Sequence, residues 1–360
     1  MKRLPFIPQL DSFRFFAVLL VIVSHWVPNN KINILPNGYL GVTFFFVLSG
    51  YLISSNLFYL KQGIDKKEIS VAKAFGIFYS RRTLRIFPLY FLVIFLLYFL
   101  DKSIFSGKFI WYATYTPNFL MFKEKHWPGM LSHFWSLGVE EQFYLIWPLL
   151  LFTIQRKWLK YLLPGIVVLS IAFKIAVFQE SAPFFTFYDV LPISCFDAFG
   201  IGAFLAYLSF SENSSLKAIF ERIPFSYGLI LSIAGMLLVY RVGISFLFGF
   251  FVSISSFFII RKTFTGFKGF SGRILNNRAI RYLGKISYGL YVYHNLMPWL
   301  WRCLTCRETD HPLPIGCLNS EMLSRPSVSL LAQFVLLIVI SSISWYAVEK
   351  PLNDLKVYFR

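Results

Sequence analysis

Residues 132–151 read SHFWSLGVEEQFYLIWPLLL. Twenty residues of helix rise about 30 Å, which matches the hydrocarbon thickness of a bilayer. Two adjacent acids, Glu140 and Glu141, stand inside this otherwise apolar run. An ionisable group at the centre of a membrane helix costs on the order of 3 kcal/mol and usually faces the bundle interior. Helical phase separates the two. Ser136, Glu140 and Tyr144 recur at i, i+4 and i+8 and share one face, with His133 just above. Glu141 is rotated by about 100° and reads as the structural partner of a cation elsewhere.

The rest of the chain fits that reading. Its 360 residues are 57% hydrophobic and 14% charged, where a soluble domain carries about 25% charged residues. Apolar runs of membrane-spanning length recur at 9–27, 39–60, 84–101, 135–154, 158–178, 188–210, 225–241, 244–261, 281–302 and 327–349. The pair 225–241 and 244–261 is either a tight helical hairpin or one re-entrant element. With an inside N-terminus, the inner segments hold 24 Lys and Arg residues and the outer loops nine. That bias explains the net charge of +18 without nucleic acid and places both termini in the cytoplasm. Charges along the first run (Asp11, Arg14, His25) argue against a cleaved signal peptide. The expected fold is an all-α polytopic membrane protein, a bundle of about ten transmembrane helices. It forms a single domain over 1–360, with no appended soluble domain.

Function is sought among the polar residues inside the spans. Asp11, Arg14, Val18, Val21 and His25 share one helical face. Asp11 and Arg14 can pair locally, whereas His25 lies roughly 16 Å beyond Arg14. His294 in span 9 and Glu140 in span 4 fall in the same outer half. Three helices thus bring His25, Glu140 and His294 to comparable heights. At the inner face Arg81, Arg82 and Arg85 sit within a turn of the start of span 3. They fit either positive-inside topology or a phosphate site. Ser49-Gly50 reads as a packing surface. Among Cys303, Cys306 and Cys317, with His311 between them, a disulfide is favoured over a metal site on the oxidising side; Cys195 reads as packing.

Several stretches resemble the acyltransferase family 3 of integral membrane proteins. LDSFRFFAVLLVIVSH resembles its Arg-x10-His element through Arg14 and His25. GVTFFFVLSGYLIS, RRTLRIFPLY, HFWSLGVEEQFYLIWPLLL, ISYGLYVYH and VEKPL match further motifs in family order across residues 5–352. No basic residue stands between Gln9 and Asp11, where the family often has one, and the family's frequent esterase-like extension is not expected. The resemblance implies transfer of an acyl group, usually acetyl from acetyl-CoA, to a hydroxyl of a carbohydrate or other surface molecule. It implies a multi-pass protein of the bacterial cytoplasmic (inner) membrane. On this reading Arg14, Arg81, Arg82 and Arg85 hold the CoA phosphates on the inner side, and a carbohydrate or glycolipid acceptor approaches from outside. His25 is the general base or the acyl-carrying nucleophile, and His294 lies at the same depth. Glu140 orients or charge-stabilises an imidazole, and Tyr144 donates to the oxyanion or relays the acyl group. No metal is expected. The rival reading is a transporter or flippase for a lipid-linked glycan. Acceptor identity, acetyl against succinyl donor and oligomeric state stay open.

Overall fold

The computed structural model describes residues 6–28, 31, 34–178, 185–210, 214–305 and 325–359, and every regular element among them is helical. The helices used below are α1 (Pro8–Trp26), α2 (Asn37–Asp65), α3 (Val71–Leu100), α4 (Phe134–Thr153), α5 (Arg156–Ala176) and α6 (Pro192–Phe210). They continue as α7 (Phe225–Val242), α8 (Ser245–Thr265), α9 (Arg278–Lys285), α10 (Ser287–Tyr293), α11 (Met297–Leu304) and α12 (Pro326–Ser344). Among the described residues seven helices are long and apolar enough to cross a membrane: α2, α3, α5, α6, α7, α8 and the continuous helix from Pro326 to Tyr358. The chain is a multi-pass, all-α membrane protein.

Three of the ten expected spans fall short of that test. They are α1, α4 and the broken element α9–α11, and they carry His25, Glu140 and His294. The first two carry ionisable residues within the helix, and the third is broken into pieces too short to cross a membrane. Span 9 was expected to run unbroken over 281–302. It divides instead at Ile286 and again at a 3-10 turn, His294–Leu296. The second break has a covalent cause. Pro298 has no N–H to give the carbonyl of His294, four residues earlier. The His294 carbonyl oxygen accepts instead from the Met297 N–H of the 3-10 turn and from the indole of Trp26 on α1, at 2.9 Å. The segment 225–261 is a helical hairpin, α7 and α8, turned at Gly243 with φ +80°.

Helix α2 is the centre of the bundle and packs most extensively against α6. The close approach rests on glycine: a Cβ on Gly202 would lie 2.0 Å from the Val47 carbonyl oxygen, and one on Gly50 2.3 Å from that of Phe199. Gly284 on α9 similarly lets the Asp11 backbone of α1 press against it. A buried ion pair, Lys174–Asp197 at 2.7 Å, ties α5 to α6. Lys61 near the end of α2 caps α4, its amine donating to the carbonyls of Leu151 and Ile154, both at 2.6 Å. Phe6 and Asn353 line one cavity, so both described chain ends reach the same end of the bundle. His25, at the far end of α1, lies at the opposite end.

Candidate active site

At that opposite end three histidines from three elements meet. His294 Nε2 lies 3.2 Å from His25 Nδ1. The His133 and His294 rings are 4.9 Å apart, as are those of His25 and His294. His133 and His294 are buried, whereas His25 is exposed. Carbonyl partners assign the ring protons, because a carbonyl can only accept. His294 Nδ1 donates to the Tyr291 carbonyl at 2.6 Å, so its Nε2 carries a lone pair. His25 Nδ1, 3.0 Å from the Val21 carbonyl, donates to that oxygen and faces the His294 lone pair. The proton on Nδ1 leaves His25 Nε2 bare at the exposed edge of the cluster. A neutral imidazole with a free, oriented Nε2 is a proton acceptor. Asn295 fixes the next residue along, its amide donating to the carbonyls of Gly129 and Met130 and to Ser132 Oγ.

A second polar cluster lies towards the middle of the bundle, in a cavity of about 110 Å³. Glu140 Oε1 accepts from Ser49 Oγ at 3.0 Å and Oε2 from the Tyr144 hydroxyl at 2.9 Å. The Arg82 guanidinium stands 5.2 Å over the Tyr144 ring. Arg14, Arg85 and Glu141 line the same space. Ser136 and Tyr291 form its wall towards the histidines: their hydroxyls are 2.5 Å apart, and the Tyr291 hydroxyl reaches the His133 carbonyl at 3.2 Å.

A second, larger cavity of about 570 Å³ sits at the end where the described chain termini meet. Arg14, Arg85, Arg278, Arg281 and Lys285 line it, offset by Asp11 and Glu349, with Tyr282 and Trp345 alongside. Arg14 is paired with Asp11 at 2.5 Å. Arg281 Nε is buried without a hydrogen-bond partner. Arg14, Arg85, Ser287 and Tyr288 line both this cavity and the smaller one, so the two spaces adjoin.

The structure therefore joins some of the sequence candidates and separates others. His25 and His294 touch. Glu140 and Tyr144 bond each other but not the histidines, so the partner that orients the His25 imidazole is His294 rather than Glu140. Arg14, Arg82 and Arg85 reach the cavities, while Arg81 lines neither. The arginines are also deeper in their helix than expected. Helix α3 begins at Val71, not near residue 84, which puts Arg82 roughly 16 Å along it. Ser49 belongs to the polar cluster as well as to the packing surface, and Glu141 faces the same cavity as Glu140. Sequence reasoning missed Arg278, Arg281 and Lys285, whose charges it counted only as topology. It also missed the structural part played by His133, whose position just above span 4 was the available hint. Cys306, His311 and Cys317 lie outside the described residues; Cys303 is buried, 3.1 Å from the Trp299 carbonyl, and Cys195 is buried in the core.

Comparison with known proteins agrees with the motifs. The acyltransferase domain family matches residues 7–349. The chain is 29% identical over 81% of its length to "Putative O-acetyltransferase SACOL0978" of Staphylococcus aureus, covering 51% of that protein. It is 27% identical over 97% of its length to "Putative peptidoglycan O-acetyltransferase YrhL" of Bacillus subtilis, covering 55%. It is 26% identical over 80% of its length to "Peptidoglycan O-acetyltransferase OatA" of Listeria monocytogenes, covering 49%. The chain thus spans about half the length of these curated relatives. No solved structure matches. The family match over nearly the whole chain, with the Arg14–His25 element in place, means that this chain belongs to the acyltransferase domain family, the acyltransferase family 3 of membrane proteins.

Proposed function

We propose that the protein is a membrane O-acetyltransferase that takes an acetyl group from cytoplasmic acetyl-CoA and places it on a hydroxyl of a cell-envelope carbohydrate on the outer side. The observation that carries this reading is the exposed His25, whose bare Nε2 is held by the contact of Nδ1 with Val21 and His294. The relatives' names support acetyl transfer, and two of them name peptidoglycan as the target. We take both termini as cytoplasmic, which makes the histidine end the outer one, and we count α1, α4 and α9–α11 with the seven apolar helices as ten passes.

Each part of the site then has a task. Arg14, Arg85, Arg278, Arg281 and Lys285 suit the phosphates of the donor, since guanidinium groups bind phosphate oxygens through paired hydrogen bonds. Tyr282 and Trp345 offer aromatic surface beside them. The smaller cavity continues towards the histidines and suits the thioester arm. His25 Nε2 takes the acceptor hydroxyl proton as that oxygen bonds to the acyl carbon, and returns it to the departing sulfur. Glu140 accepts the hydroxyl protons of Ser49 and Tyr144 and so fixes both side chains along the wall of that passage.

The test is transfer in proteoliposomes. Purified protein with labelled acetyl-CoA on the side of the chain termini should yield acetyl ester on a glycan supplied to the other side. Glycan movement with CoA absent, and no ester, would instead mark a transporter.

A further inference from the structure

Glu141 stands out among the cavity-lining groups because it is unsatisfied. Both oxygens of its neighbour Glu140 are engaged, by Ser49 and by Tyr144. Glu141 Oε1 is withdrawn from solvent and has no hydrogen-bond partner. Among the described residues no ion pair within 4 Å joins it to Arg82 or Arg85, and Arg82 is committed to the face of the Tyr144 ring. Among the described residues Oε2 has no hydrogen-bond partner either, and on this half-buried side chain it is the oxygen that a donor entering the cavity can reach.

Its position says what kind of donor. Glu141 lines the smaller cavity, between the arginine-lined cavity and the Ser136–Tyr291 wall under the histidines. The cavity is narrow, about 110 Å³, and the rest of its lining mixes apolar and hydroxyl side chains. An elongated, flexible ligand segment fits such a passage. On the donor reading above, that segment is the arm bearing the thioester, which carries secondary amides along its length. Their N–H groups would meet in the Glu141 side chain a carbonyl-type oxygen able to accept them.

We propose that Glu141 is a positioning residue for the acyl donor, accepting an amide N–H of the thioester arm. The inference rests on the donor reading and adds a residue that the polar-face pattern of α4 assigned to a structural role. Glu140 and Glu141 thereby divide the work: Glu140 holds Tyr144 and Ser49, and Glu141 holds the ligand.

The experiment measures binding to the purified full chain by calorimetry, with two probes. CoA carries the arm; adenosine 3′,5′-bisphosphate carries nucleotide phosphates without it. The ratio of their Kd values reports what the arm contributes. Glu141→Ala should weaken CoA about tenfold and leave the bisphosphate unchanged, so the ratio collapses by about tenfold. Glu141→Gln, which keeps a carbonyl acceptor at the same place and guards against misfolding of the alanine variant, should stay within about threefold of wild type. An unchanged ratio in Glu141→Ala, or equal loss for both probes, overturns the proposal. A wild-type ratio near one overturns it too, because the arm then contributes nothing. Wild-type protein that binds neither probe overturns the donor reading itself.

Discussion

His294 Nε2 lies 3.2 Å from His25 Nδ1, and the backbone break that makes this possible is held from the other helix by Trp26, the neighbour of His25. The pair is therefore built reciprocally: α1 stabilises the break that presents His294, and His294 orients the imidazole of α1. His294→Gln should lower acetyl transfer about a hundredfold while leaving the KM for acetyl-CoA within about twofold, because it disturbs proton transfer rather than donor binding. Steady-state kinetics of the purified variant check this.

The Lys174–Asp197 pair is almost fully buried, with side chains 4% and 3% exposed. Removing one partner strands a charge inside the bundle. Lys174→Met alone should cost about 3–5 kcal/mol of stability, and Lys174→Met with Asp197→Leu should recover most of it. Thermal unfolding in detergent of the two variants reads the difference.

The contact of α2 with α6 leaves no room for a methyl group at Gly202, where a Cβ would lie 2.0 Å from the Val47 carbonyl oxygen. Gly202→Ala should force the helices apart and lower stability by about 1–3 kcal/mol or more. The folded yield in size-exclusion chromatography should fall, whereas Gly165→Ala, where a Cβ meets nothing within 4 Å, should leave it unchanged.

Arg281 faces the larger cavity with an unpartnered Nε. Arg281→Ala should weaken CoA binding about tenfold at low salt and less at high salt, since ionic strength screens the attraction. Calorimetric titrations at two salt concentrations test both parts.

Part of this geometry is legible in the sequence. The 3- and 4-residue steps from Asp11 to His25 pick out the face of α1 on which Asp11, Val18 and Val21 are buried and His25 meets His294. What helical phase does not contain is the identity of the neighbour across the gap. Glu140 and His25 were matched by depth, yet Glu140 bonds within its own helix and to Ser49. Depth itself was misjudged for Arg82, because a polar first stretch hid the true start of α3 at Val71. The lysine and arginine residues of α9 were legible as charge but not as a cavity wall. That role depends on the close approach of Gly284 to Asp11, which no spacing rule encodes.

The central claim is that His25 Nε2 takes the acceptor proton, and His25→Ala tests it most directly. Purified variant and wild type should be compared in the same proteoliposomes for CoA binding and for acetyl ester formed on the glycan. The account predicts CoA affinity within about twofold of wild type and transfer reduced about a thousandfold. Undiminished transfer by a correctly inserted His25→Ala protein would contradict it.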